Sequence, residues 1–278
     1  MRNGGSVIHT LGALMALGAL ACSDSTGGAG GARVGLAFST RPAPSAALGG
    51  AMSASASQSG DTVVLNGDSI IIESVDVVMR EIELKREDVT ACSTSSGSDD
   101  DGCEEFTIGI QLVSLPLGSA TEKVVTLSNV PPGLYDEVEF EIHKPESSTD
   151  AAFIAANPLF DGISIRVTGF YRPAGGARTA FTYTSDLDKE QQRELLPPLE
   201  VTADGTANVT IRIDVSTWFL NATGTAVVDP ATANKGGPNE GVVKNNIEQS
   251  IDAFHDNDSD GLDDDHEDDD GGTVPDSP

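Results

Sequence analysis

Basic residues are scarce in this chain: 16 Lys and Arg stand against 44 Asp and Glu in 278 residues, a formal net charge of −28. A phosphate backbone is held by clustered Lys and Arg, and none are clustered here, which excludes nucleic acid as a partner. Aromatic residues make up only 5%, whereas a platform for sugars needs several exposed rings. Trp218 and Phe219 are therefore read as plugs at the end of a core. The apolar run at residues 7–21 is too short for a transmembrane helix. No G-x-S-x-G, H-E-x-x-H, P-loop or dinucleotide fingerprint occurs. Histidine is limited to His9, His143, His255 and His266, which leaves nucleophilic catalysis poorly supported. Cysteine is limited to Cys22, Cys92 and Cys103.

What is present begins with an address. Arg2 gives a short positive segment, and the apolar run that follows stops at Ala-Leu-Ala-Cys, ending on Cys22. A small residue before a cysteine at that place resembles the bacterial lipobox, with Ala19 where Leu is the commonest choice and Leu20 next to it. The resemblance implies a signal peptide over residues 1–21, cleavage before Cys22 and lipidation of that residue. The other reading is an ordinary secretory signal cut nearby, which leaves Cys22 a spare thiol. Ser23 rather than Asp follows the cysteine, which among similar lipoproteins goes with the outer membrane. The expected location is thus the bacterial cell envelope, with the membrane as a partner through the N-terminal lipid. Residues 22–31, mostly Gly, Ser, Ala and Thr, read as a flexible tether.

An exported chain favours a disulfide between Cys92 and Cys103, which flank the polar segment 93–102. Closing so short a loop stabilises by about 2–3 kcal/mol in the chain-entropy model. A metal or redox pair lacks both the C-x-x-C spacing and a nearby His.

The body of the chain alternates in the manner of strands. Val34, Leu36 and Phe38 share one side of the first, after which residues 41–60 read as a loose loop of Pro, Ala, Ser and Gly. Between residues 70 and 84 the apolar phase shifts from Val75, Val77 and Met79 to Ile82 and Leu84, which predicts a β-bulge near Arg80 and Glu81. Phe106, Ile108, Ile110 and Leu112 predict the return strand of a hairpin, and residues 124–127 another short strand. After the Pro131-Pro132-Gly133 turn, Val138, Phe140 and Ile142 alternate with Glu137, Glu139 and Glu141. Those three carboxylates read as a solvated sheet face; the alternative is an acid–base pair of a glycan-acting hydrolase, which requires a cleft and unequal environments. His143, at the end of that run, reads as a surface residue. Later strands are marked by Ile163, Ile165 and Val167, by Phe181 and Tyr183, by residues 199–201, and by Val209, Ile211, Ile213 and Val215. The charged segment 185–195 reads as a short surface helix or loop. With no βαβ alternation, the pattern predicts a mostly β fold, an antiparallel β-sandwich over residues 32–232.

Four segments in order, G-L-A-F-S-T-R-P, S-V-D-V-V-M-R-E-I-E-L-K-R, Q-L-V-S-L-P-L and V-P-P-G-L-Y-D-E-V-E-F-E-I, resemble a family of exported bacterial domains of unknown function. That family is similar to prealbumin-like β-sandwiches and is often carried on lipoproteins. The resemblance implies a fold and an address, and carries over no catalytic residue.

Residues 233–255 read as a linker and one C-terminal amphipathic helix, because Val243, Ile247, Ile251 and Phe254 recur at helical spacing over 240–255. The helix leads into D-N-D-S-D-G-L-D-D-D-H-E, residues 256–267, which resembles the calcium loops of EF-hand, thrombospondin type 3 and dockerin-like proteins. The resemblance assigns side-chain oxygens to Asp256, Asp258 and Asp260, a backbone carbonyl to Leu262, a direct or water-mediated contact to Asp264 and a bidentate carboxylate to Glu267. Asp263 replaces the apolar residue of an EF-hand, and no exiting helix follows Glu267, so the expected calcium affinity is weak, about 10⁻⁴–10⁻³ M. A merely solvated acidic segment is the other reading. Residues 268–278 read as a disordered acidic tail. The functional expectation is a lipid-anchored, non-enzymatic module with a C-terminal calcium loop and a structural or ligand-binding role. Neither a protein nor a glycan partner is specified.

Overall fold

The computed structural model describes residues 31–40, 53–57, 60–86, 109–118, 121–257, 261 and 263. The signal segment, Cys22, Cys92, Cys103 and the acidic tail fall outside the described residues, as do Phe106 and Ile108.

One strand organises the larger sheet. Residues Asp68–Arg86 form β4, which follows β1 (Arg33–Ser39), β2 (Ser53–Ser57) and β3 (Gly60–Leu65). Along β4 the buried side chains change phase twice, from Ile70 and Ile72 to Val75, Val77 and Met79, then to Ile82 and Leu84. Each change is a bulge. The second lies where the sequence predicts it, with the pairing shifted between Arg80 and Glu83 and Glu81 at φ 54°. The first, between Ile72 and Ser74, has a close neighbour in Gly169, where a Cβ would stand 2.0 Å from the Ile71 carbonyl oxygen.

β4 pairs with β3 and with β8 (Ile165–Arg172) along its first half, and with β5 (Gln111–Ser114) and β7 (Gly133–Ile142) along its second. β9 (Thr179–Ser185) extends the sheet from β8, and β10 (Lys189–Val201) extends it from β7. The smaller sheet runs β12 (Ile251–His255), β11 (Thr206–Ile213), β1, β6 (Thr121–Ser128). Both sheets feed one buried cluster, in which Val34, Leu36, Phe38, Val209 and Ile211 are joined by Ile72, Val75, Phe140, Val167 and Tyr183.

Several expectations are corrected. The pairing is not wholly antiparallel, since β1 and β11 run parallel, Val34 beside Ala207 and Phe38 beside Ile211. Residues 41–60 are not all loop: β2 pairs with β3, and backbone pairing carries it where no apolar alternation does. Segment 185–195 is neither helix nor surface loop, because most of it belongs to β10, where Gln191 and Leu195 are buried toward the core. The predicted helix over 240–255 is cut short as α2 (Glu240–Gln249), and it is not alone, since α1 spans Ala151–Ala156. The chain then enters β12 and pairs with β11, Ile251 opposite Ile213 and His255 opposite Val209. The Ser250 hydroxyl ends the helix by donating to the Ile247 carbonyl and accepting from Trp218 Nε1, both at 2.8 Å. Trp218 itself, fully buried, follows a 3-10 turn at Val215–Thr217, and Phe219 packs edge-on against Phe181 and Tyr183. Arg193 of β10 ties this region down by donating to the carbonyls of Ile251 (2.7 Å) and Glu248 (3.0 Å). Among the described residues no helix is long and apolar enough to cross a membrane.

Candidate functional site

Two places gather carboxylates at the end of a strand. The first is the start of the predicted calcium loop. Of its six assigned ligands only Asp256 belongs to the described residues; Asp258, Asp260, Leu262, Asp264 and Glu267 lie outside them. Asp256 follows β12 directly and is fully buried. Its N–H donates to the Asn208 carbonyl at 3.3 Å, which continues the β11 pairing one residue past the strand. Its Oδ2 accepts from the Thr210 hydroxyl at 2.5 Å and from the Gly261 N–H at 3.0 Å. The carboxylate therefore anchors the loop to β11 and closes a turn onto the glycine, which has φ +82°. A calcium-binding carboxylate is itself commonly hydrogen-bonded, and this one is.

The second place lies at the end of β7. Glu137, Glu139 and Glu141 share one face of that strand, as the alternation predicts, but they are not loosely solvated: their side chains are 24%, 14% and 17% exposed. Lys85 of β4 pairs with Glu139 at 2.5 Å and with Glu137 at 3.5 Å, and Arg80 pairs with Glu141. On the other flank Gln192 of β10 donates to Glu139 at 3.3 Å. The row is an ion-paired ladder across three strands. A pocket of about 330 Å³ between the β8–β9 hairpin and the turn at Asp229, lined by Tyr171, Pro173, Phe181 and Asp229 among others, includes none of the three glutamates.

His143 is the main departure from expectation, being buried rather than on the surface, with its side chain 5% exposed. Register puts it there. Ile142 pairs with Lys189 and Glu141 with Glu190, so the residue after β7 falls opposite the residue before β10, Asp188. On the other side the His143 N–H donates to the Val78 carbonyl at 2.9 Å. Glu141 and His143, two apart, point to the same face. The segment leaving His143 folds back so that Asp150, at the head of α1, reaches the ring: Asp150 Oδ2 lies 3.0 Å from Nε2 and also accepts from the Glu146 N–H and the Thr149 hydroxyl, each at 2.8 Å.

These contacts fix the ring's orientation. Burial pushes the Asp150 carboxyl up, but the hydrogen bonds from Glu146, His143 and Thr149 outweigh it and hold the group below the ordinary carboxylate range. An ionised Asp150 only accepts, so Nε2 is the ring nitrogen that donates to it, and Nδ1 is the one turned toward Glu141 and Asp188. That Nδ1 is buried and has no hydrogen-bond partner. It faces Asp188 Oδ1 at 3.5 Å and Glu141 Oε1 at 3.7 Å, and the three atoms all lie within 4.8 Å of one another. Glu141 turns its other oxygen to Arg80, and Asp188 Oδ1 also accepts from the Lys144 N–H at 2.9 Å. The sequence alone does not reveal this corner, because the charged segment 185–195 reads as a helix or loop and hides the strand pairing that brings Asp188 to His143.

The chain matches no family model, no curated protein and no solved structure.

Proposed function

We propose that the chain is an exported, lipid-anchored β-sandwich without enzymatic activity, whose C-terminal loop takes up calcium at the cell envelope. The observation that carries the calcium reading is the placement of Asp256. A solvated acidic segment has no reason to bury its first carboxylate, whereas a loop that must hold an ion close to the sheet gains a fixed first ligand this way. The Asp256 to Gly261 hydrogen bond supports the turn that the D-x-D-x-D-G spacing demands. Two sheets feeding one core support the sandwich. The lipidated Cys22 and the Cys92 to Cys103 disulfide rest on the sequence. In this reading calcium draws Asp258, Asp260, the Leu262 carbonyl, Asp264 and Glu267 around an anchor already seated on β11. It neutralises crowded charge and stiffens the end of β12.

Calcium calorimetry on the full chain tests the proposal. Asp258→Ala with Asp260→Ala removes two assigned ligands while sparing the buried anchor. The wild type is expected to bind at about 10⁻⁴–10⁻³ M and the double variant not at all. A wild type that gives no binding heat, or a double variant that binds as tightly, rejects the calcium loop.

A further inference from the structure

We propose that Glu141, His143 and Asp188 form a second metal site, distinct from the calcium loop, which takes a divalent transition-metal ion such as zinc. The donor set is one imidazole nitrogen and two carboxylate oxygens, a mixture that suits zinc and its neighbours and is poor for calcium, which prefers six to eight oxygens. Nδ1 of His143 is the feature that acidic clusters usually lack: a buried ring nitrogen, without a hydrogen-bond partner, facing two carboxylates.

The spacing separates an ion site from a simple ion pair. An imidazolium N–H held by carboxylates draws one of them to roughly 2.7–2.9 Å. Here the two oxygens stand at 3.5 and 3.7 Å from Nδ1. Ligand atoms about 2.1 Å from a tetrahedral ion stand roughly 3.4 Å apart, close to both distances from Nδ1, and the two carboxylate oxygens lie within 4.8 Å of each other. The surrounding contacts agree. A metal-binding histidine commonly donates its other ring N–H to a carboxylate, and Asp150 accepts from Nε2 at 3.0 Å while Glu146 and Thr149 hold it in place. Arg80 occupies the far oxygen of Glu141 and leaves Oε1 to the site. Asp188, whose side chain is 48% exposed, forms the open rim, where water supplies the fourth ligand. The ion joins the end of β7 to the start of β10.

Zinc calorimetry tests this on the full chain carrying Asp258→Ala and Asp260→Ala, so that the loop does not contribute. One zinc is expected per chain, with affinity reduced at least tenfold by Asp188→Asn, 10–100-fold by Asp150→Asn, and lost in His143→Gln. Because His143 is buried, its variant is checked by circular dichroism. If it fails to fold, the half-exposed Asp188 decides. Cobalt gives an independent readout, since a site with a nitrogen and two carboxylate ligands produces a visible absorption band that Asp188→Asn weakens. A folded chain that binds no zinc, or an affinity unchanged by Asp188→Asn, overturns the proposal and leaves His143 as a histidine held in a carboxylate cage. The calcium experiment is unaffected by either result.

Discussion

At the end of β12 a carboxylate is buried among protein donors, and at the end of β7 an imidazole is buried among carboxylates; the two corners lie on different sheets. The first is largely local in sequence, since Asp256 and Gly261 are five residues apart, with Thr210 and Asn208 reached from the neighbouring strand. The second is assembled from β7, the segment before α1 and the segment before β10. In the first the polar group is satisfied by the hydrogen bonds it accepts, so its burial is stable in itself. In the second one ring nitrogen is satisfied and the other is left facing negative oxygen. A buried polar atom without a partner costs free energy, which is the ground for proposing an ion at the second corner, whereas the first holds its carboxylate fixed as the first ligand of the proposed loop.

The sharpest way to break that contrast is to remove the anchor. Asp256→Ala strands the buried Thr210 hydroxyl and the Gly261 N–H, and hydrogen bonds to a charged acceptor are the costly ones to lose. The expected loss is about 2–4 kcal/mol, measured as a lower urea midpoint in EDTA with an unchanged slope. A loss below about 0.5 kcal/mol, the range of an ordinary surface change, shows that the loop is not anchored by this residue.

A third buried carboxylate shows what incomplete partnering does. Asp61 of β3 accepts at Oδ1 from the Gly118 N–H at 3.0 Å, while its Oδ2 has no partner. Burial, with help from the charge of Asp214 and against the hydrogen bonds from Gly118 and Thr40, pushes its carboxyl up to about 6. The folded state thus holds this proton more tightly than the unfolded chain, whose group titrates near 3.8. Stability from Asp61 is fully present below about pH 3.8 and is lost as pH rises through about 6. Asp61→Asn keeps an acceptor for Gly118 and removes the charge. It is expected to raise stability at pH 8 by on the order of 2 kcal/mol relative to its effect at pH 4, read from urea melts at the two pH values. An equal effect at both means that the carboxylate is better solvated than its burial indicates.

Legibility in the sequence follows the same division between local and assembled. The bulge at Arg80 and Glu81 is visible because apolar residues change phase within one strand, and Ile72 to Val75 carries the same signal for the bulge at Glu73. The burial of Val138, Phe140 and Ile142 is equally local. β10 escapes because its inward side carries Gln191 and Arg193, whose polar atoms are satisfied by hydrogen bonds rather than by apolar packing. A pattern of hydrophobicity has nothing to register there. At α2 two periodicities compete: Val243, Ile247, Ile251 and Phe254 fit a helix, but Ile251, Ala253 and His255 also alternate, and pairing with β11 decides for the strand. No glycine or proline marks the switch at Ser250, and the Trp218 contact that fixes it comes from 32 residues away. The parallel neighbours β1 and β11 are more distant still. The burial of His143 is illegible for the same reason, since it depends on β10 being a strand.

The smallest expected effect sharpens where the second corner ends. Lys85 spans Glu137 and Glu139, in the middle of the carboxylate row whose last member is Glu141. If the row as a whole attracted cations, removing this lysine would free two carboxylates and tighten zinc. The geometry argues otherwise, because the nitrogen donor belongs to His143 and the oxygens that face it belong to Glu141 and Asp188. Lys85 is 28% exposed, and such ion pairs lose much of their Coulomb energy to water and to side-chain entropy. Lys85→Met keeps the apolar stem and drops the charge. The expected cost is about 0.5 kcal/mol, falling further in high salt, with zinc affinity changed less than threefold in the same calorimetric assay. A tenfold gain in zinc affinity would mean that the ladder itself binds the ion and that His143 is not its centre.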